Sequence, residues 1–184
     1  MSSDTVKLSI YSRPAILFHW VIVLLLALAY LAINVRGPNG TYSSIFWTNI
    51  HFLAGFFVFV CAVLRVLWRL WHGVPPEIQE SKVAMFGARA MHLVLYLFIF
   101  AQPILGILLV NSGGSPVRLA GIHLNIQLYG EDMRAHHAIH TVHVLLGQAF
   151  YWVIGLHAIA AVIHHFVLKD ETMRRMLGVR AKIR

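Results

Sequence analysis

The sequence has little charge and almost no cysteine. Of its 184 residues, 12% are charged and 59% are hydrophobic, and the mean hydropathy is +0.71. A soluble globular domain is about one quarter charged, so too little charge is present here to cover a surface that faces water. This excludes both a soluble enzyme and a disordered chain. The single cysteine, Cys61, excludes a disulfide framework, a cysteine-ligated zinc site and an iron–sulfur cluster.

Long apolar stretches account for most of the hydrophobic residues. Crossing the hydrocarbon core of a bilayer takes about 20 residues, and a single segment satisfies its own backbone in lipid only as a helix. The sequence therefore predicts an all-α membrane protein, a four-helix transmembrane bundle that forms one domain over residues 1–184. We expect the first span to remain in the protein, because it is longer than the apolar part of a secretory signal. The predicted spans are 14–35, 46–70, 86–110 and 138–168, with an outer loop at 111–137.

Basic residues are distributed unequally between the two ends of these spans. Twelve of the 15 Lys and Arg residues fall on one side, and Arg36, Arg118 and Arg134 fall on the other. Cytoplasmic segments carry the excess of positive charge, so both termini are expected to be cytoplasmic. The pI near 10.2 then reflects topology and contact with anionic lipids of the bilayer, with no nucleic acid as a partner. The twelve residues are Lys7, Arg13, Arg65, Arg69, Lys82, Arg89, Lys169, Arg174, Arg175, Arg180, Lys182 and Arg184.

Twelve histidines are present, and several lie within the predicted spans, where polar side chains are costly and usually functional. A single such histidine is explained more readily by a hydrogen bond between helices or by an interfacial position. His143 and His157, however, are 14 residues apart, close to four helical turns, so both leave one face of the fourth helix about 21 Å apart. This separation suits two stacked cofactors, one near each leaflet.

Two further histidines are placed to complete these sites. His51 begins the second span at the outer level of His143, and His19 begins the first span toward the inner level of His157. The predicted pairs are therefore His51–His143 outside and His19–His157 inside. Arg65, 14 residues after His51, shares that face at the inner level. A buried arginine there needs an anionic partner, and an arginine that extends to the inner interface is the equal alternative. Gly55 and Gly147 each follow an outer histidine by four residues, which leaves room for a flat cofactor or for close helix packing.

The chain resembles bacterial cytochrome b561, a four-helix di-haem b family that includes superoxide oxidase and is related to the cytochrome b subunits of membrane hydrogenases. The matching stretches are Arg13–Trp20, Asn49–His51, Arg65–Leu70, His92–Tyr96, Pro103–Gly106, and Gly155–His157 through His164 and His165. The resemblance covers nearly the whole chain and implies a multi-pass protein of the bacterial inner membrane.

This resemblance implies two haem b groups with His19, His51, His143 and His157 as the iron ligands. Arg65, with Arg13 and Arg89 as further candidates, would bind inner haem propionates. His92 also begins a span on the inner side and competes with His19, but it matches a family position that does not ligate iron. We therefore interpret His92 as a residue that contacts a haem propionate or one of the iron ligands.

Two imidazoles per iron leave no open coordination site, so such haems transfer electrons without activating oxygen. The resemblance implies a superoxide:ubiquinone oxidoreductase, which oxidises superoxide to O2 at the periplasmic face and reduces ubiquinone. Arg36, Arg118 and Arg134 would attract the anion.

Two other functions remain open from the sequence. A non-catalytic cytochrome b subunit would carry electrons between the quinone pool and a periplasmic redox partner. A transporter or sensor of transition metals would use the cluster His136, His137 and His140, whose spacing suits zinc or copper.

Overall fold

The structure is a computed structural model in which residues 11–76, 81–118 and 125–179 are described. Four long helices, each long and apolar enough to cross a membrane, make up most of the chain and confirm the predicted all-α membrane bundle. Lys7, His123, Arg180, Lys182 and Arg184 lie outside the described residues. The helices are α1 Arg13–Val35, α2 Tyr42–His72, α3 Lys82–Ser112, α4 Met133–Phe166 and a short α5 Thr172–Leu177.

Side-chain caps extend two of the helices beyond their apolar stretches. The Thr41 hydroxyl accepts a hydrogen bond from the Ser44 amide at 3.1 Å, and α2 therefore begins at Tyr42, ahead of the apolar residues. The Asp132 carboxylate accepts the amides of Arg134 and Ala135 at 3.0 and 3.1 Å. Helix α4 consequently begins at Met133 and includes His136 and His137, which the sequence assigns to the outer loop. The connection between α3 and α4 is thus 113–132, shorter than predicted.

The bundle core lies midway along the spans. Helix α1 packs along α2, α3 packs along α4, and α2 contacts α3. The core is a cluster of buried residues from all four long helices. The partly buried Phe98 packs against this cluster, and its ring stacks on Phe150 with centroids 5.1 Å apart. The members of the cluster are Ile22, Val58, Ala62, Ile99 and Phe150. Apolar packing is therefore concentrated between the two levels at which the histidines lie.

The short helix α5 is attached to the end of the bundle that the charge distribution predicts to be cytoplasmic, called the inner end here. The indole of Trp20 donates to the Met176 carbonyl at 2.9 Å, and the buried guanidinium of Arg175 donates to the Pro76 carbonyl at 2.7 Å. His164, near the end of α4, pairs with Asp170 at 2.5 Å. Burial alone would raise the pKa of the Asp170 carboxyl, but hydrogen bonds from His164 and Thr172 outweigh it and hold that pKa below its usual range.

A single asparagine makes several hydrogen bonds within the connection between α3 and α4, residues 113–132, which we call the outer connection. Asn111 is fully buried, and its amide nitrogen donates to the carbonyls of Ser115 and Ile126, both at 3.0 Å. Its side-chain oxygen accepts the Leu128 amide. These bonds hold together the two-residue strands β1 Val117–Arg118 and β2 Asn125–Ile126, which pair in antiparallel fashion. The outer connection is therefore tied to the end of α3.

We expect Asn111→Ala to loosen this connection. The substitution removes the hydrogen bonds to Ser115, Ile126 and Leu128, each worth about 1 kcal/mol. Limited proteolysis of the purified protein should then cut the outer connection faster than in the wild type. Asn39→Ala, at the exposed turn between α1 and α2, is the matched control and should leave cleavage unchanged. Equal cleavage of the Asn111→Ala and wild-type proteins would show that other contacts hold the connection.

Candidate functional site

The outer histidines predicted from the spacing face each other across the bundle. The rings of His51 on α2 and His143 on α4 have centroids 6.3 Å apart and planes 87° apart. A bond from imidazole nitrogen to metal is about 2 Å long, so two rings on opposite sides of one ion have centroids roughly 6 Å apart. The separation of this pair therefore fits one shared metal ion between two imidazoles.

Hydrogen bonding distinguishes the two outer rings. Nδ1–H of His51 donates to the Ala29 carbonyl at 2.9 Å, which leaves Nε2 as the nitrogen that can bind a metal. Nδ1 of His143 is buried with no hydrogen-bond partner among the described residues. A buried ring nitrogen without a partner is costly, which fits a ring whose strongest interaction is with a ligand.

Glycines leave space beside this pair. A Cβ placed on Gly55 would meet no atom within 4 Å, and one on Gly147 would meet only the amide nitrogen of Gln102, at 3.8 Å. Gly106 of α3 faces the His143 ring, because a Cβ added to this glycine would lie 3.6 Å from the Cε1 atom of His143. A flat macrocycle can therefore approach the backbone of α2 and α4 at the outer level.

Two polar side chains contact α4 at the same level. The sequence did not indicate either of them as part of this site. Gln102 donates to the His143 carbonyl at 3.2 Å, and the Tyr30 hydroxyl donates to the Gly147 carbonyl at 2.8 Å. Helix α4 is thus held by both α1 and α3 beside the outer histidine. Gln102 is an uncharged polar residue inside an apolar span, and this feature could have identified it.

At the inner level, three histidines lie together. The His157 ring is 6.4 Å from the His19 ring, with planes 75° apart, and 5.8 Å from the His92 ring, with planes 67° apart. The predicted His19–His157 pair is therefore brought together, and its separation nearly equals that of the outer pair. The His92 ring lies nearer to His157 than the His19 ring does, so the choice of His19 over His92 as the ligand opposite His157 stays a prediction.

Arg65 lies at this inner level, as its spacing from His51 predicts. Its side chain is buried, with 9% of the residue exposed, and it donates to the carbonyl of Ala15, one turn before His19. One turn further along α2, Arg69 donates to the Tyr96 hydroxyl at 3.0 Å. Two guanidinium groups therefore flank the inner histidines, where the carboxylates of a cofactor would find charged partners.

The two levels are separated by a packed aromatic side chain. Phe150 is seven residues from both His143 and His157, so it lies on the same face of α4 halfway between them. It is 2% exposed. The two histidine pairs are therefore distinct sites in one bundle.

Other predicted candidates fall outside these pairs. His136 and His137 have rings 5.9 Å apart, but Nδ1 of His136 lies 3.0 Å from the Leu109 carbonyl, to which it can donate. Among the described residues, no three His, Cys, Asp or Glu side chains are arranged to hold a metal ion. Arg134 is exposed at the outer end of α4.

Comparison with known proteins shows the family of the chain. Residues 10–179 match the family model described as prokaryotic cytochrome b561. A protein of Yersinia pestis named probable superoxide oxidase CybB is 35% identical over 170 residues, which are 91% of this chain and 95% of the relative. Cytochrome b561 homolog 1 of Escherichia coli (strain K12) is 29% identical over 91% of this chain and 96% of its own length. Cytochrome b561 homolog 2 of the same organism is 30% identical over 88% and 87%.

A helical membrane bundle with facing histidine pairs is the architecture of a membrane cytochrome. The chain belongs to the prokaryotic cytochrome b561 family. It is therefore a multi-pass membrane protein of electron transfer, and its family implies that it binds haem b.

Proposed function

We propose that this protein is a di-haem superoxide:ubiquinone oxidoreductase of the bacterial inner membrane, with both termini in the cytoplasm. Two superoxide anions give up one electron each at the outer face and leave as O2. One ubiquinone takes both electrons, together with two protons from water, and becomes ubiquinol. Atoms and charge balance as 2 O2•− + Q + 2 H+ → 2 O2 + QH2.

The observation that carries this proposal is the presence of two facing histidine pairs at opposite levels of one bundle. His51 with His143, and His19 with His157, would each hold one haem b. Arg65 and His92 would bind the inner propionates or orient the inner ligands. When bound, a haem with two imidazoles supplies reversible one-electron transfer and has no open position for oxygen.

The outer end supports superoxide as the electron donor. His143 lies on α4, whose first turn carries the exposed Arg134, and the exposed His137 and His140 precede His143 on the same helix. Fixed and protonatable positive charge near a redox site raises the rate at which an anion arrives. The name of the Yersinia pestis relative supports the same substrate.

Stopped-flow absorbance tests the proposal directly. The purified protein, mixed with superoxide and no quinone, should show reduction at the b-haem absorption band within milliseconds, and added ubiquinone should reverse it. Superoxide dismutase, added first, should abolish the signal. Full haem content with no fast reduction would contradict the proposal.

The rate of this reduction should fall as ionic strength rises. The Debye length is about 10 Å at 0.1 M salt, so the attraction between Arg134 and the anion is screened. Arg134→Gln should slow reduction roughly threefold at low salt and much less at high salt. Lys169→Gln, expected at the opposite face, is the matched control and should leave the rate unchanged.

A second function is favoured by exposed apolar side chains at the end of the outer connection and the start of α4. Leu128, Tyr129 and Met133 are 62%, 41% and 51% exposed, and together they would suit a protein partner. In this alternative the protein is a cytochrome b subunit that carries electrons between the quinone pool and a periplasmic redox enzyme. Haem reduction only in the presence of a copurified partner would favour it.

A further inference from the structure

A tryptophan packs against the candidate inner ligand that precedes it. The rings of His19 and Trp20 have centroids 5.4 Å apart and planes 72° apart, which is an edge-on contact. The indole N–H of Trp20 donates to the Met176 carbonyl of α5 at 2.9 Å. Because this N–H is the only polar group of the indole, the bond fixes the direction in which the ring points. Trp20 therefore connects α5 to the His19 ring.

Helix α5 meets α1 a second time, one turn before Trp20. Gly178 ends α5 with a φ of +71°, in the left-handed region that favours glycine. A Cβ placed on Gly178 would lie 3.5 Å from Cδ1 of Ile16, so the end of α5 lies close to the Ile16 side chain. Helix α5 is thus held against the same stretch of α1 that carries His19.

The other end of α5 is fixed to α4. Asp170 lies between these two helices and pairs with His164 at 2.5 Å, and its second carboxylate oxygen accepts the Thr172 amide at 2.9 Å. His164 follows His157 by seven residues, about 20° short of two turns, so both leave nearly the same face of α4. Helix α5 therefore bridges the two helices that carry the predicted inner pair, His19 and His157.

This bridge joins helices from different halves of the bundle, since α1 packs along α2 and α4 packs along α3. At the outer level, the Tyr30 hydroxyl joins α1 directly to the Gly147 carbonyl of α4. At the inner level, the connection runs through Trp20 and α5. The rotation of α1 relative to α4 decides how the rings of His19 and His157 meet, so α5 is placed to set that geometry.

We propose that Trp20 is a positioning residue for the inner haem site, and that α5 acts through Trp20 to set the orientation of the His19 ring. The proposal rests on the proposed function, in which His19 and His157 hold the inner haem. The Met176 carbonyl holds the indole, and the indole restricts rotation of the imidazole. Groups that orient a ligating imidazole also tune the electronic properties and the potential of the metal.

Spectra and potentials of the haem-loaded protein test this assignment. Trp20→Phe keeps an aromatic ring against His19 and removes the N–H that bonds to Met176. We expect this variant to retain two haems, with a shifted low-spin electron paramagnetic resonance signal and a shifted midpoint potential for the inner haem alone. Trp71→Phe is the matched control, because Trp71 is 77% exposed near the inner end of α2. The His157→Leu protein, expected to lack the inner haem, identifies which signal belongs to it.

A second variant releases α5 from α4 and leaves Trp20 in place. Asp170→Ala removes the acceptor for both His164 and the Thr172 amide, and it should shift the inner-haem signal as well. Arg174→Gln alters an exposed ion pair on α5 and should leave that signal unchanged.

Hydrogen–deuterium exchange of these proteins in lipid nanodiscs gives a readout that does not depend on haem. The amides of α5 should exchange about fivefold faster in Trp20→Phe than in the wild type, the effect of losing one hydrogen bond. Trp71→Phe should leave their exchange unchanged.

The outcomes separate this proposal from the proposed function. Faster exchange of α5 with unchanged inner-haem signals would make α5 an attachment only and would overturn the positioning role of Trp20. Equal changes in both haems of Trp20→Phe, or loss of haem from that variant, would show a general loss of packing and would also overturn it. In either case, fast reduction of the wild type by superoxide would still support the oxidase. A selective shift of the inner haem, in a protein that superoxide does not reduce, would support the role of Trp20 and reject the oxidase.

Discussion

Replacing His51 or His143 with leucine is expected to halve the haem content of the purified protein and to abolish fast reduction by superoxide. Both rings would hold the outer haem, since they face each other at 6.3 Å. Without either ring the outer haem would lose one of its two protein ligands and should dissociate. The double variant should lose no more haem than either single variant, because both residues serve one site. Haem extraction and reduced-minus-oxidised absorbance spectra measure this.

Histidines on the same helix provide the controls for this prediction. His136→Leu and His140→Leu alter positions about two turns and one turn before His143 on α4, and both variants should retain two haems. A normal haem content in His143→Leu, or a halved content in His140→Leu, would show that the outer ligand is assigned to the wrong residue. Circular dichroism of the His51→Leu variant serves as a control for folding, because it would detect a loss of helicity.

Replacing His157 with leucine is expected to remove the inner haem and leave the outer haem responsive to superoxide. The outer pair lies about 21 Å away along α4, with Phe150 packed between the two levels. Single-electron reduction of the outer haem should therefore remain fast. Ubiquinol formation should slow, because we expect the inner haem to store the second electron that quinone reduction needs. Stopped-flow absorbance measures the rate of outer-haem reduction, and a quinol assay on the same preparation measures the rate of ubiquinol formation. An unchanged rate of ubiquinol formation would contradict electron storage on the inner haem.

Two further variants decide which histidine faces His157. His19→Leu should lose the inner haem, whereas His92→Leu should retain it with a shifted midpoint potential, since we expect His92 to contact the cofactor without ligating iron. The ring separations of 6.4 and 5.8 Å make both arrangements sterically available. Retention of the inner haem in His19→Leu together with its loss in His92→Leu would reverse the assignment.

Much of this architecture follows from local pattern. A continuous apolar stretch predicts each span, and each of the four corresponds to one long helix. The shared face of His143 and His157 follows from 3.6 residues per turn within one helix. Helix ends are predicted less well, because caps such as Asp132 extend a helix past the apolar residues that indicate it.

Contacts between helices are harder to predict. Asn111 is a polar residue near the outer level, where such a side chain could equally line a quinone site. In the structure it is buried instead, and its side chain bonds to the backbone of the outer connection. Gln102 reaches the carbonyl of His143 across 41 positions of sequence. Neither contact has a periodic signature, since each depends on which two helices lie side by side.

The sequence alone determines the four membrane helices, because backbone hydrogen bonding in lipid makes each span a helix whatever its neighbours are. The uneven charge and the two levels of histidine follow from the positions of these residues in the spans. The packed bundle was needed to show that His51 bonds to Ala29, that His19 and His92 both reach His157, and that Tyr30 meets Tyr151 beside Gln148. These features depend on the rotation and spacing of packed helices. In lipid, side-chain packing and interhelical hydrogen bonds set both, through residues that are distant in sequence.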